Sequence, residues 1–97
     1  MTFEGIYTPA ITPYAADGSI DYAAFANVLE SLIEARVHGI IIGGSTGEYY
    51  AQSTEERLSL VEHARKVIGK CLPLTVGTAA IRTEDAVAFA THARVYE

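Results

Sequence analysis

His38-Gly39-Ile40-Ile41-Ile42-Gly43-Gly44-Ser45-Thr46-Gly47-Glu48 is the stretch on which the fold turns. Three isoleucines in unbroken succession, rather than in alternation, predict a strand buried on both faces, as in a parallel sheet. The glycine-rich run behind them predicts a loop at the C-terminal end of that strand. Upstream, Phe25, Val28, Leu29, Leu32, Ile33 and Arg36 fall on the i, i+3, i+4, i+7 spacing of one helical face. Asp21 is placed to cap that helix, and Glu30 and Glu34 lie off its apolar stripe. His38-Gly39 is expected to end the helix, the glycine taking a left-handed C-terminal conformation. Before it, the segment from Ile6 to Thr12 is rich in β-branched and aromatic residues and runs into a turn, Ala16-Asp17-Gly18-Ser19. Pro9 removes a ladder donor, so this first strand is expected to be short.

Downstream the same alternation recurs. Ser53 and Glu56 have the spacing of a capping box, and Leu60, Val61, Ala64, Val67 and Ile68 make an apolar stripe that Gly69 stops. Pro73 to Gly77 reads as a third short strand. Thr83-Glu84-Asp85 opens a third helix with two acids at its positive end, and Val87, Ala90 and Ala93 are its expected stripe. No stop signal follows before Glu97. The order is βα-βα-βα, with strands beginning near residues 6, 39 and 73. A repeat of roughly 33 residues is that of strand–helix crossover units, which require a parallel sheet. The fold class is α/β, and by pattern alone the units fit either a small open sheet or part of a (β/α)₈ barrel of ~250 residues.

Composition narrows the function. The 97 residues are 49% hydrophobic and 20% charged, which is globular and not disordered. Seven basic against twelve acidic residues give −5, and only Arg65 and Lys66 are adjacent cations. A phosphate-backbone partner is therefore not expected. No apolar run approaches the ~20 residues of a membrane span. The N-terminus lacks a basic segment followed by an apolar one, so no signal peptide is expected. Cys71, the single cysteine, cannot form an internal disulfide; it fits a small packing residue at a helix-to-strand junction, and the protein a cytoplasmic one. His38, His63 and His92 lack the spacing of a metal site, and neither a metal nor a cofactor is expected.

In parallel α/β folds the site lies in the loops after the strands. Three qualify: Thr12-Pro13-Tyr14, Gly43 to Tyr50, and Thr78 to Arg82. The second concentrates Gly43, Gly44 and Gly47 around two adjacent hydroxyls, Ser45 and Thr46. It is not a Walker A loop, because Ser45 stands where lysine belongs, and it lacks the Gly-x-Gly-x-x-Gly of a dinucleotide site. Gly43-Gly44-Ser45-Thr46-Gly47 satisfies the pattern of a nucleophile elbow, but the later histidines sit in helical patterns. Backbone N–H groups made accessible by glycine, joined by two hydroxyl donors, suit a small carboxylate without a cation. The alternative is a tight strand-to-helix turn. Tyr49 and Tyr50 fit either a substrate entrance or helix-packing aromatics.

Gly43-Gly44-Ser45-Thr46-Gly47-Glu48 resembles the signature of the dihydrodipicolinate synthase / N-acetylneuraminate lyase family, and with Gln52-Ser53 it is nearer the lyase branch. Gly5 to Tyr14 resembles that family's first strand, Asp17 to Asp21 its following turn, and Glu55-Glu56-Arg57 the start of its second helix. The resemblance implies a TIM barrel that condenses, cleaves or dehydrates 2-oxo acids through a Schiff base between a lysine and pyruvate or a pyruvate-like moiety. It implies that Ser45 and Thr46 hold the 2-oxo acid carboxylate, that the Ser45 hydroxyl joins a proton relay with a tyrosine, and that Glu48 braces the loop. In the family the lysine lies on the sixth strand and the tyrosine near the fifth. Lys66 and Lys70, the two lysines of this sequence, fall in and just after the second helix and are expected to be solvated.

Residues 1–97 are accordingly expected to be the incomplete N-terminal portion of a lyase barrel, inactive alone, and either a homo-oligomer or a complementing fragment. A stand-alone α/β module that binds small carboxylates without catalysis is the alternative. A third reading is a structural role through open strand edges.

Overall fold

A computed structural model of the chain describes residues 4–96. Strand β1 spans Tyr7–Pro9, helix α1 Tyr22–Glu34, strand β2 Gly39–Ile42, helix α2 Thr54–Ile68, strand β3 Leu74–Val76 and helix α3 Thr83–Arg94. A short 3₁₀ turn, Tyr49–Ala51, precedes α2. The sheet is parallel with order β1-β2-β3, pairing Thr8 with Ile40 and Ile42 with Val76. All three strands therefore end on the same side, where the loops of interest gather.

The isoleucine run is fully buried on one face and not, as its continuity predicts, on both. Ile40 and Ile42 are buried in one cluster with Phe25 and Leu29 of α1 and Leu60, Ala64 and Ile68 of α2. Ile41 alternates to the opposite face and is half-buried. Each fully buried side chain of this size contributes about 1.5–3 kcal/mol. Helices α1 and α2 are also joined at their polar margin: the Tyr22 hydroxyl donates to Ser59 Oγ at 2.9 Å, and the His63 ring stacks on Tyr22 at 4.0 Å.

The helix starts are as local chemistry dictates. Asp21 accepts from the Ala24 amide at 3.0 Å, and Ser53 and Glu56 form a complete capping box. Gly69, at φ +57°, ends α2. The end of α1 differs from expectation. The helix stops at Glu34, and Arg36, not Gly39, takes the left-handed conformation, at φ +62°. Gly39 instead opens β2, where a Cβ would lie 2.5 Å from the Tyr7 ring packed against it. β1 is shorter than the apolar segment around it, because Pro9 brings no N–H and the ladder passes to the Ala10 amide, bonded to Ile41 O at 2.8 Å.

Helix α3 presents a different face from the one its pattern suggests. Val87 and Ala90 are exposed, while Phe89 is buried beneath the Arg57 guanidinium, 3.8 Å from the ring centroid. One large aromatic held by a cation on α2 outweighs a stripe of small residues. Cys71 is exposed rather than packed, so its place at the α2–β3 junction carries no core role. Although the sequence offers no stop signal, α3 ends at Arg94, with the Val95 amide donating to the Ala93 and His92 carbonyls; Glu97 and the first three residues lie outside the described residues.

Candidate functional site

Residues Gly43–Gln52 leave the end of β2 and cross the ends of β1 and β3. Gly43 adopts φ +69° and packs so closely on β3 that a Cβ at Gly77 would lie 2.3 Å from its carbonyl oxygen. Gly47 is buried, and a Cβ there would meet Ala10 O at 3.1 Å. These two contacts, more than conformational freedom at every glycine, explain the composition of the loop. Between them the chain makes a four-residue turn, with the Glu48 amide donating to Ser45 O at 3.0 Å.

Ser45 and Thr46 occupy the exposed crest of that turn. Neither their hydroxyls nor their backbone amides have a partner among the described residues. Two hydroxyls and two N–H groups at successive positions are thus unpaired donors, the complement in kind of an acceptor-only group such as a carboxylate. The two residues, neighbours in sequence, lie beyond the C-terminal end of β2.

The base of the turn is held by Thr12, from the first of the three candidate loops, and by Gln52, to which the sequence assigns no role of its own. Thr12, a buried polar side chain, donates from Oγ1 to Gly47 O at 2.8 Å. Gln52 Nε2 donates to the same carbonyl at 2.9 Å and to the Tyr14 hydroxyl at 3.1 Å. The loop of Thr12 is a candidate by its place after β1, but the burial of Thr12 is not predicted: Ala10 and Thr12 are buried while Ile11 between them is exposed. Gln52 figures in the sequence only as part of the family resemblance, with no role attached. Glu48, expected to brace the loop, does so only through its backbone, at φ +61°; its exposed side chain makes no hydrogen bond among the described residues.

Arg57 closes the third side. Its guanidinium donates to Ala79 O at 2.8 Å and Gly77 O at 3.2 Å, so α2 carries the loop after β3. Burial lowers its pKa from the ordinary arginine value, and it stays cationic at neutral pH. Its charge also lies 5.0 Å from the Tyr49 ring centroid. Tyr49 and Tyr50 meet edge to face, and Tyr50 is 69% exposed, so neither belongs to the helical core. With Ala80 and Ile81 they line an open groove of about 480 Å³ beside the turn.

Other candidates are placed elsewhere. Lys66 and Lys70 are exposed, in the last turn of α2 and just beyond it, which is the end of the sheet opposite to the Ser45 loop. The histidines have structural partners: His38 Nδ1 accepts from the Ile6 amide, and His92 Nε2 lies 3.6 Å from Glu62. No group of three metal-ligating side chains occurs among the described residues. No helix among them is long and apolar enough to cross a membrane.

Comparison with known proteins identifies the family and the fold. The sequence profile of the Dihydrodipicolinate synthetase family matches residues 2–96. The 4-hydroxy-tetrahydrodipicolinate synthase of Limosilactobacillus fermentum is 33% identical over 89 residues, which are 92% of this chain and 29% of that protein. YagE, an Escherichia coli K12 prophage protein of the dihydrodipicolinic acid synthase family solved in complex with pyruvate, is similar with a TM-score of 0.94. The match has 29% identity and covers 99% of this chain and 32% of that one. N-acetylneuraminate lyase from Mycoplasma synoviae is similar with a TM-score of 0.93 and 26% identity, over 98% of this chain and 33% of that one. The chain spans about a third of the length of these proteins. It belongs to the dihydrodipicolinate synthetase family, and its three parallel strand–helix units match the N-terminal units of that family's TIM barrel.

Proposed function

We propose that this chain supplies the carboxylate-binding part of a lyase that acts on 2-oxo acids through a Schiff base. The observation that carries the reading is the exposed turn at Ser45 and Thr46, whose hydroxyls and amides are free to donate. Family membership supports the reaction type, and the pyruvate bound to YagE supports the ligand. In this reading the carboxylate of pyruvate, or of a pyruvate-like end of a larger substrate, lies on Ser45 and Thr46. A lysine amine attacks the neighbouring ketone, and the protonated imine withdraws electrons from the bond being made or broken. The Ser45 hydroxyl passes a proton to or from a tyrosine in that step.

The amine and the tyrosine come from units of the barrel beyond residues 1–97, which form its N-terminal portion. Lys66 and Lys70 stand at the wrong end of the sheet and are exposed. Pyruvate titrated into the isotope-labelled 97-residue chain is expected to shift the Ser45 and Thr46 amide resonances saturably. Removing one donor to a charged group should weaken binding roughly tenfold in Thr46→Ala. Borohydride added with pyruvate and read by intact mass should leave the chain unmodified. A lysine adduct would show that the chain carries its own amine, and absence of any shift at Ser45 and Thr46 would remove the carboxylate assignment.

A further inference from the structure

We propose that Gln52 is the positioning residue of the carboxylate turn, a role that rests on the reading of Ser45 and Thr46 as the carboxylate donors. Gln52 sits in extended backbone between the 3₁₀ turn and the capping residue of α2, with φ −107° and ψ 144°. Its side chain turns inward. Nε2 spends its two hydrogens on Gly47 O and on the Tyr14 hydroxyl, at 2.9 and 3.1 Å. The orientation of the amide is fixed by chemistry, because the Gly47 carbonyl can only accept. The Gly47–Glu48 peptide is therefore held at both ends. Its oxygen receives Thr12 Oγ1 and Gln52 Nε2, and its N–H donates to Ser45 O. Fixing that plane fixes the turn, and with it the direction of the Ser45 and Thr46 donors.

The other half of the amide distinguishes positioning from packing. Oε1 is buried without a hydrogen-bond partner among the described residues. A buried unpaired acceptor is costly, and leucine would fill a similar volume without it. Packing alone gives no reason for an amide at this position. What the amide supplies and leucine cannot is a pair of donors, which join the loop after β1, through Tyr14, to the loop after β2, through Gly47.

The test compares the wild-type chain with Gln52→Leu, Gln52→Glu, Tyr14→Phe and the Tyr14→Phe/Gln52→Leu double variant. Each is titrated with pyruvate by amide chemical shift and melted thermally. Gln52→Leu is expected to raise the pyruvate Kd about fivefold or more, with the unfolding midpoint within about 2 °C of wild type. Gln52→Glu is expected to bind weakly at pH 7 and to regain affinity on acidification, as the protonated carboxyl recovers one donor. Tyr14→Phe should add nothing in the Gln52→Leu background. Equal affinity of Gln52→Leu and wild type overturns the proposal, as does a loss of affinity matched by an equal loss of stability. If the wild-type chain itself gives no pyruvate shift, the carboxylate reading falls. Hydrogen exchange at the Glu48 amide then decides the positioning role: selective acceleration in Gln52→Leu supports it, and unchanged exchange overturns it.

Discussion

Thr12 and Gly77 carry more of the site's shape than the two hydroxyls the site displays. Thr12 is buried, and its hydroxyl is one of the two donors on Gly47 O. Thr12→Val keeps the volume and removes that donor, while Gln52 still satisfies the carbonyl. A loss of about 1 kcal/mol in denaturant unfolding is expected, with faster exchange at the Glu48 amide. Gly77→Ala is predicted to be more damaging, because the new methyl would fall 2.3 Å from Gly43 O and only backbone movement can relieve it. The expected cost is about 1–3 kcal/mol, with chemical-shift changes spreading from Gly77 to Ser45. Asp17 makes a milder, pH-dependent contribution. Its carboxylate accepts from Ser19 Oγ at 2.6 Å and from the Ser19 amide at 3.0 Å, which holds it below the usual carboxylate range. A folded-state value below the unfolded one means that the turn is stabilised above about pH 4. That stabilisation fades as pH falls through the lowered value. Carbon-detected titration should place Asp17 below a free aspartate, and Ser19→Ala should move it back.

Among the helices, α2 does most to organise the site, because Arg57 in its second turn holds the loop after β3 by two carbonyls and covers Phe89 of α3. Lysine has neither the fork nor the planar face for these tasks. Arg57→Lys is therefore expected to release the Gly77–Ile81 segment nearly as fully as Arg57→Met, seen as faster proteolysis and faster amide exchange there, with α1 and β1 unchanged. A rescued loop in Arg57→Lys would instead assign the hold to charge alone. The same helix shows what can be read from sequence. Its capping box and its glycine stop are relations between residues a few positions apart, and Ser53, Glu56 and Gly69 act as their spacing dictates. The end of α1 and the face of α3 were not legible, because long-range partners decide them. Gly39 answers to Tyr7 across the sheet, and Phe89 answers to Arg57. The candidate site divides in the same way. Ser45 and Thr46 stand out by local composition, whereas the meeting of Thr12 and Gln52 on Gly47 O exists only once the ends of β1 and β2 are side by side.

Three parallel strands with helices packed on them leave features that a sheet of this size does not resolve internally. Each outer strand, β1 and β3, has one neighbour among the described residues and so one unpaired row of backbone groups. Beside β3 an open groove of about 350 Å³ runs along Leu74, Val76, Ala90 and Ala93. Ile6, Ile11, Ile81 and Val87 are each more than half exposed. Unpaired edges and exposed apolar side chains favour pairing with other chains, and net charge opposes it. At −5 over 97 residues the repulsion is modest and is screened beyond about 8 Å at physiological ionic strength. Association is therefore expected to win. Size-exclusion chromatography with light scattering should give a weight-average mass that rises with the concentration of the 97-residue chain, and rises further when salt is added. A single monomer mass across the concentration range would show that three units close their own edges well enough to stand alone. A mass that fell with salt would assign the contact to charge rather than to strand edges and apolar surface.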